Sequence, residues 1–168
     1  PHYGPYAEWL SGTAMEFAPD GRLFVLTQTG SVRVIQPNGT LEPAAAISLA
    51  VDSFFERGLL GIAFDPSFNA AAPGDDFVYL YYTDLNGVNP SFNKISRFTV
   101  TGNTINAGSE TVIFSFNLLS AGNHNGGAMH FGPDGMLYAA HGENAVSSNS
   151  QTVTNLLGKI VRINPAAF

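Results

Sequence analysis

A short pattern of apolar residues followed by a turn recurs along this chain. Residues 14–24 read AMEFAPDGRLF, residues 128–138 read AMHFGPDGMLY, and residues 61–68 give the looser copy GIAFDPSF. Proline presets φ for a tight turn, while aspartate and glycine tolerate the backbone conformations that follow it. Each copy therefore predicts a strand, a turn and a second strand, and one structural unit occurs three times.

Each unit continues into further short strands. The first predicts strands over 22–26, 32–35 and 41–49, and the second over 77–82, 95–100 and 110–116. Units of about 40–50 residues with four strands are typical of β-propeller blades, which bury their faces by stacking on neighbours. The sequence therefore predicts an all-β propeller with about three blades, at about 9–50, 58–116 and 122–168. A long loop is expected in or near 85–93, and residues 44–55 lack the period of a helix.

Composition narrows the class of protein. A length of 168 residues without a linker predicts a single domain. A net charge of −6 with seven Lys plus Arg argues against nucleic acid as a partner. No apolar run approaches 18 residues, so no membrane span is predicted. The absence of cysteine excludes disulfides and thiolate metal sites.

The third unit predicts three strands, over 123–133, 136–141 and 158–163, and the sequence ends at Phe168 without a fourth. Fewer than three full blades cannot close a ring, and an open arc exposes strand edges and apolar faces. We therefore expect either that the sequence is a fragment or that a second chain or copy completes the propeller. The repeat also predicts equivalent innermost strands at 14–18, 59–64 and 128–132, with Phe17, Phe64 and Phe131 in matching buried positions.

The stretch NHNGG at residues 123–127 precedes the third copy and has no counterpart in the others. His124 is the candidate for chemistry, although a loop histidine bonded to backbone is the commoner role for such a residue. Gly126 and Gly127 could serve only the turn, or they could let a flat cofactor approach the backbone. No metal ligands are predicted, because the spacing of the neighbouring histidines and Glu143 matches no known zinc motif. Those histidines are His130 and His141.

Four segments together resemble the pyrroloquinoline quinone (PQQ)-dependent glucose/sorbosone dehydrogenases. They are ERGLLGIAFDPSF at 56–68, VYLYY at 78–82, NHNGG with FGPDG at 123–135, and NLLGKIVRI at 155–163, in family order along the chain. The resemblance implies about half of a six-bladed propeller, an aldose as substrate, PQQ and calcium as cofactors, and a periplasmic or extracellular location. The main ligands of both cofactors are expected outside these residues.

The same resemblance implies roles for individual residues. His124 would be the general base that takes the proton from the sugar hydroxyl as hydride leaves for the quinone, a task that suits the near-neutral pKa of histidine. Glu56 and Asn123 would contact the sugar, at positions where relatives carry glutamine and aspartate. Gly126 and Gly127 would lie beside the cofactor. An amide at Asn123 cannot raise the basicity of His124 by charge.

Two other functions remain open at this point. The first is a binding module without enzymatic activity, similar to the Hedgehog-interacting proteins. The second is a propeller lactonase, which would need a metal cluster in the channel. Contacts to a quinone would distinguish the dehydrogenase from the binding module, and metal dependence without quinone would indicate the lactonase.

Overall fold

The computed structural model describes residues 11–69, 76–85 and 91–168, and within them the predicted all-β fold is confirmed. Three antiparallel sheets follow one another along the chain. The helical segments among these residues are short 3₁₀ turns at Ala107–Ser109, Ser147–Gln151 and Pro165–Ala167. Residues 44–55 form no helix, as expected from their pattern. No helix in the described part of the chain is long and apolar enough to cross a membrane.

The first sheet contains four strands in chain order: β1 Gly12–Phe17, β2 Leu23–Thr27, β3 Ser31–Ile35 and β4 Ile47–Ser48. The fourth strand is much shorter than the predicted 41–49. Leu41 forms an isolated bridge with Ile35. Pro43, two residues later, has no N–H to donate to a ladder, which explains why pairing is not continuous through this segment.

The second sheet contains β5 Leu59–Phe64, β6 Phe77–Thr83, β7 Phe92–Thr101, β8 Thr104–Ile105 and β9 Thr111–Leu118. The long β7 strand pairs with β6 on one side and with both β8 and β9 on the other. The loop predicted in or near 85–93 falls largely on residues 86–90, which lie outside the described residues.

The third sheet contains β10 Met129–Phe131, β11 Leu137–His141 and β12 Lys159–Ile163. Within the described residues this sheet has three strands, as the sequence predicts. One face, which includes Met129 and Ala139, packs into the core that it shares with the second sheet. On the other face, Ile160 is 76% exposed.

The core consists of two clusters that join the sheets in pairs. One unites the first and second sheets around Phe24, Leu59 and Leu80, and the other unites the second and third sheets around Tyr81, Ile95 and Leu137. The second sheet therefore supplies side chains to both clusters, with one of its faces packed into each cluster.

The first strands of the three sheets lie side by side, with β5 contacting both β1 and β10. Their ends share one cleft, lined by Glu16, Ala63 and His130, which occupy equivalent positions in the repeat. The prediction of three matching buried phenylalanines is wrong, however, because Phe64 is buried but Phe17 is 63% exposed. Phe17 points away from the face of β1 that packs on the second sheet, so it lacks the neighbouring sheet that covers Phe64.

Candidate functional site

Three loops meet at the ends of β5, β10 and β11. They comprise residues 52–57 before β5, residues 119–128 before β10, and residues 142–146 after β11. The antiparallel pairing of β10 with β11 brings the last two loops to the same end of the third sheet. The first loop joins them because the backbone N–H of Glu56 donates to the carbonyl of Gly122 at 2.9 Å.

Backbone strain is concentrated in these three loops. Four non-glycine residues among those described have left-handed φ angles near +60°, and all four lie here: Phe55, His124, Asn144 and Ala145. Such a conformation costs about 1–2 kcal/mol for an ordinary L-residue, so it persists only where surrounding contacts impose it. Strained residues of this kind are concentrated at functional sites in proteins generally.

His124 is held by two carboxylates. Its backbone N–H donates to Oε2 of Glu56 at 2.8 Å, and its side-chain Nδ1 contacts Oε1 of Glu143. The hydrogen bond to Glu143 and the negative charge of that residue raise the pKa of His124 above its usual value. The same pair lowers the pKa of Glu143. The imidazole remains half exposed, so a ligand can reach it.

Asn144 joins the second and third loops. Its Oδ1 accepts from the backbone N–H groups of Ser120 at 2.6 Å and Ala121 at 3.1 Å, and from the Ser120 hydroxyl at 2.9 Å. Its Nδ2 donates to the carbonyl of Ala121 at 2.9 Å. The side chain is fully buried, and it fixes the backbone that leads into His124.

Arg57 joins the first and second loops. Its guanidinium donates to the carbonyl of Ala121 at 3.0 Å and forms an ion pair with Asp52 at 2.7 Å. Asp52 also accepts from the Ser91 hydroxyl at 2.6 Å. Burial opposes ionisation of Asp52, but the Ser91 and Arg57 hydrogen bonds outweigh it and hold its pKa below the usual value. Arg57 is therefore committed to internal contacts.

The structure brings Glu56 and His124 together, whereas the side chains of His141 and His130 have other surroundings. His141 is buried and its Nε2 lies 3.2 Å from the Asn93 amide, while Nδ1 lies 2.5 Å from the carbonyl of Gly142. Burial lowers the pKa of His141, consistent with a neutral structural histidine. His130 is exposed on β10. No group of three or more potential metal ligands occurs among the residues that the structure describes.

Asn123 is half buried next to His124, and its carbonyl lies 3.5 Å from the Asn144 amide. The two glycines are explained by close packing of protein atoms. A Cβ at Gly126 would lie 2.4 Å from the carbonyl oxygen of Ala140, and a Cβ at Gly127 would lie 2.7 Å from Cβ of Leu60. Both have left-handed φ angles as well. Their contact with a cofactor stays a prediction.

Sequence reasoning missed the partnership of Glu143 with His124, since Glu143 was considered there only as a metal ligand. The signal lies in the repeat: once β10 and β11 are paired, residues just before β10 face residues just after β11. Asn144 was missed as well, because nothing in its neighbourhood distinguishes a buried asparagine from an ordinary loop residue.

This fold belongs to a known class of proteins. The family model for glucose/sorbosone dehydrogenase matches residues 11–167, and the chain is a member of that family. Its solved structural neighbours are β-propeller sugar dehydrogenases, which confirms the propeller prediction.

Individual relatives show how much of such a protein the chain covers. The PQQ-bound aldose sugar dehydrogenase from Streptomyces coelicolor is 29% identical, with a TM-score of 0.77 over 92% of this chain and 45% of that one. A structure described as glucose dehydrogenase is 27% identical, with a TM-score of 0.80 over 92% and 48%. Mouse Hedgehog-interacting protein is 27% identical over 85% of this chain and 22% of its own length. The chain thus spans less than half of these relatives.

The charge of the described residues around His124 does not match that of PQQ. PQQ is a tricarboxylic acid, whereas the side chains around His124 include the carboxylates Glu56 and Glu143. The nearby cation, Arg57, is bound to Asp52 and to the backbone. The binding of PQQ and of calcium by this chain therefore stays a prediction.

Proposed function

We propose that this chain is part of a PQQ-dependent aldose dehydrogenase in which His124 is the general base. The observation that carries the proposal is the contact between His124 and Glu143 in a loop with strained backbone. A histidine oriented by a carboxylate through one ring nitrogen can accept a proton on the other, which is a recurring arrangement in general base catalysis.

The reaction is the oxidation of an aldose to its lactone. Because Glu143 accepts the Nδ1–H of His124, Nε2 carries the lone pair that takes the proton from the anomeric hydroxyl. We propose PQQ as the group that would accept the hydride from the same carbon when it is bound, because the aldose sugar dehydrogenase from Streptomyces coelicolor was solved in a PQQ-bound form. Glu56 and Asn123 flank His124 and would accept from or donate to other sugar hydroxyls. By family resemblance we also propose a periplasmic or extracellular location, testable by cell fractionation.

The test is the replacement of His124 by alanine in the complete, quinone-loaded protein. We expect sugar-dependent dye reduction to fall by about 10²–10⁴-fold, the usual contribution of a positioned general base. His130→Ala is the matched control, since His130 is an exposed histidine on β10, and it should retain the wild-type rate. Full activity of His124→Ala would refute the proposal. For the 168 residues alone we expect no turnover even with PQQ and calcium added.

The match to mouse Hedgehog-interacting protein favours a second candidate, a propeller that binds proteins without catalysis. Titration of the complete protein with PQQ separates the two, because the dehydrogenase should bind the quinone and the binding module should not. Activity that depends on a metal but not on quinone would instead indicate the lactonase.

A further inference from the structure

We propose that the rings of Phe54 and Phe55 form an aromatic shelf on which a neutral sugar ring stacks beside His124. This inference rests on the proposed function for the identity of the ligand, and it adds binding residues that the sequence did not indicate. The two side chains are 68% and 66% exposed, although both are large and apolar. Their ring centroids lie 6.4 Å apart with an interplanar angle of 39°.

Hydrogen bonds fix the loop that carries the shelf. The Gln28 amide donates to the carbonyl of Phe55 at 2.5 Å and to that of Arg57 at 2.9 Å. Asp52 Oδ1 accepts the backbone N–H of Phe54 at 3.0 Å. The backbone of Phe55 is left-handed, with φ of +59°, which is unfavourable for an aromatic residue. Both rings are thus exposed to solvent despite their apolar character, and the backbone of Phe55 also keeps an unfavourable conformation.

The shelf is contiguous with the candidate base. A Cβ built at Gly122 would lie 3.0 Å from Cδ1 and Cε1 of Phe54 and 3.0 Å from Cβ of Phe55, so the Phe54 ring rests against this glycine. Gly122 precedes His124 by two residues. Glu56, the next residue after Phe55, accepts the backbone N–H of His124. The rings therefore lie beside the loop that carries His124.

The chemistry of this surface matches a neutral sugar. The face of an aromatic ring carries partial negative charge and attracts the weakly positive C–H hydrogens on the apolar face of a pyranose. The hydroxyl groups at the sugar's edge can donate to the carboxylates of Glu56 and Glu143. Those same carboxylates repel anions, so the shelf should discriminate against uronic acids and sugar phosphates.

Sugar binding can be measured separately from catalysis. Saturation-transfer NMR on the protein without quinone would follow titration with D-glucose, and with D-glucuronate as the charged probe. We expect Phe54→Ala to weaken glucose binding by about three- to tenfold, the range for one aromatic contact. Phe54→Tyr should retain binding. Phe17→Ala is the matched control, because Phe17 is equally exposed but lies at the far end of β1. Glucuronate should bind more weakly than glucose to the wild-type protein.

The proposed stacking of sugar on these rings would be refuted if wild type and Phe54→Ala bound glucose with equal affinity, or if the folded wild-type protein bound no glucose. If Phe54→Ala instead reduces self-association in light scattering and leaves sugar binding intact, the rings form a protein interface and the proposal is wrong. If glucose binding depends on Phe54 but the quinone-loaded protein oxidises no aldose, the proposed function fails while the shelf stands.

Discussion

Replacement of Asn144 by alanine tests whether one buried amide holds the site together. The substitution removes the acceptor shared by Ser120 and Ala121 and the donor to the carbonyl of Ala121. Ser120 is exposed, so water can replace its bonds, but Ala121 is partly buried. One unsatisfied buried group costs about 1–3 kcal/mol. The left-handed backbone at residue 144, which asparagine tolerates, adds about 1 kcal/mol for alanine.

The expected loss is therefore about 2–4 kcal/mol in the free energy of unfolding, a large part of the roughly 5–15 kcal/mol of a typical domain. In urea unfolding followed by circular dichroism, with an m-value of about 2 kcal/mol per molar, the midpoint should fall by about 1–2 M. Asn144→Gly is the control, since glycine accepts the left-handed backbone but makes no side-chain bonds. It should be about 1 kcal/mol more stable than the alanine variant. An unchanged midpoint for Asn144→Ala would refute the reasoning.

Two further predictions concern the charge of the base and the open faces of the sheets. The Glu143 hydrogen bond raises the pKa of His124, so the neutral, proton-accepting form of His124 predominates only above that raised pKa. Glu143→Gln should therefore move the rising limb of the pH–rate profile to lower pH. A rising limb that does not move would contradict the pairing of His124 with Glu143. We also propose that a second chain, a copy or further blades cover the apolar faces on which Met15, Phe17 and Ile160 are exposed. Light scattering of the 168 residues should then show association, and a stable monomer would count against it.

The fold followed from the sequence because the repeat fixes both the strands and their order. The spacing of the three Pro-containing turns located every sheet, and alternation within the strands located much of the core. The repeat does not indicate which face of a blade packs against another sheet. The prediction that Phe17 is buried was therefore wrong, because that residue is exposed. Equivalent positions in sequence have equivalent backbones, but burial depends on what packs against each of them.

The candidate site was less predictable because its residues come together across loops. His124 could be found from its motif, which occurs once in the chain, and Glu56 from its place in a segment that resembles the family pattern. The contacts of Glu143, Asn144 and Phe54 depend on how three irregular loops converge. Loop backbone in strained conformations has no periodicity, so no pattern in the sequence reports it.

In the first and third sheets the strands are paired in the order in which they occur in the chain. Each of the three sheets is made from one continuous segment of the chain. Such sheets can form one after another as the polypeptide emerges during synthesis, each docking on the one already made. The connecting segments at 52–57 and 119–128 are then the seams between folding units, and they are also where Glu56 and His124 lie. Exchange of a whole blade during evolution would bring a new seam with it, and the same exchange would replace one side of each core cluster that the blade shares with a neighbour.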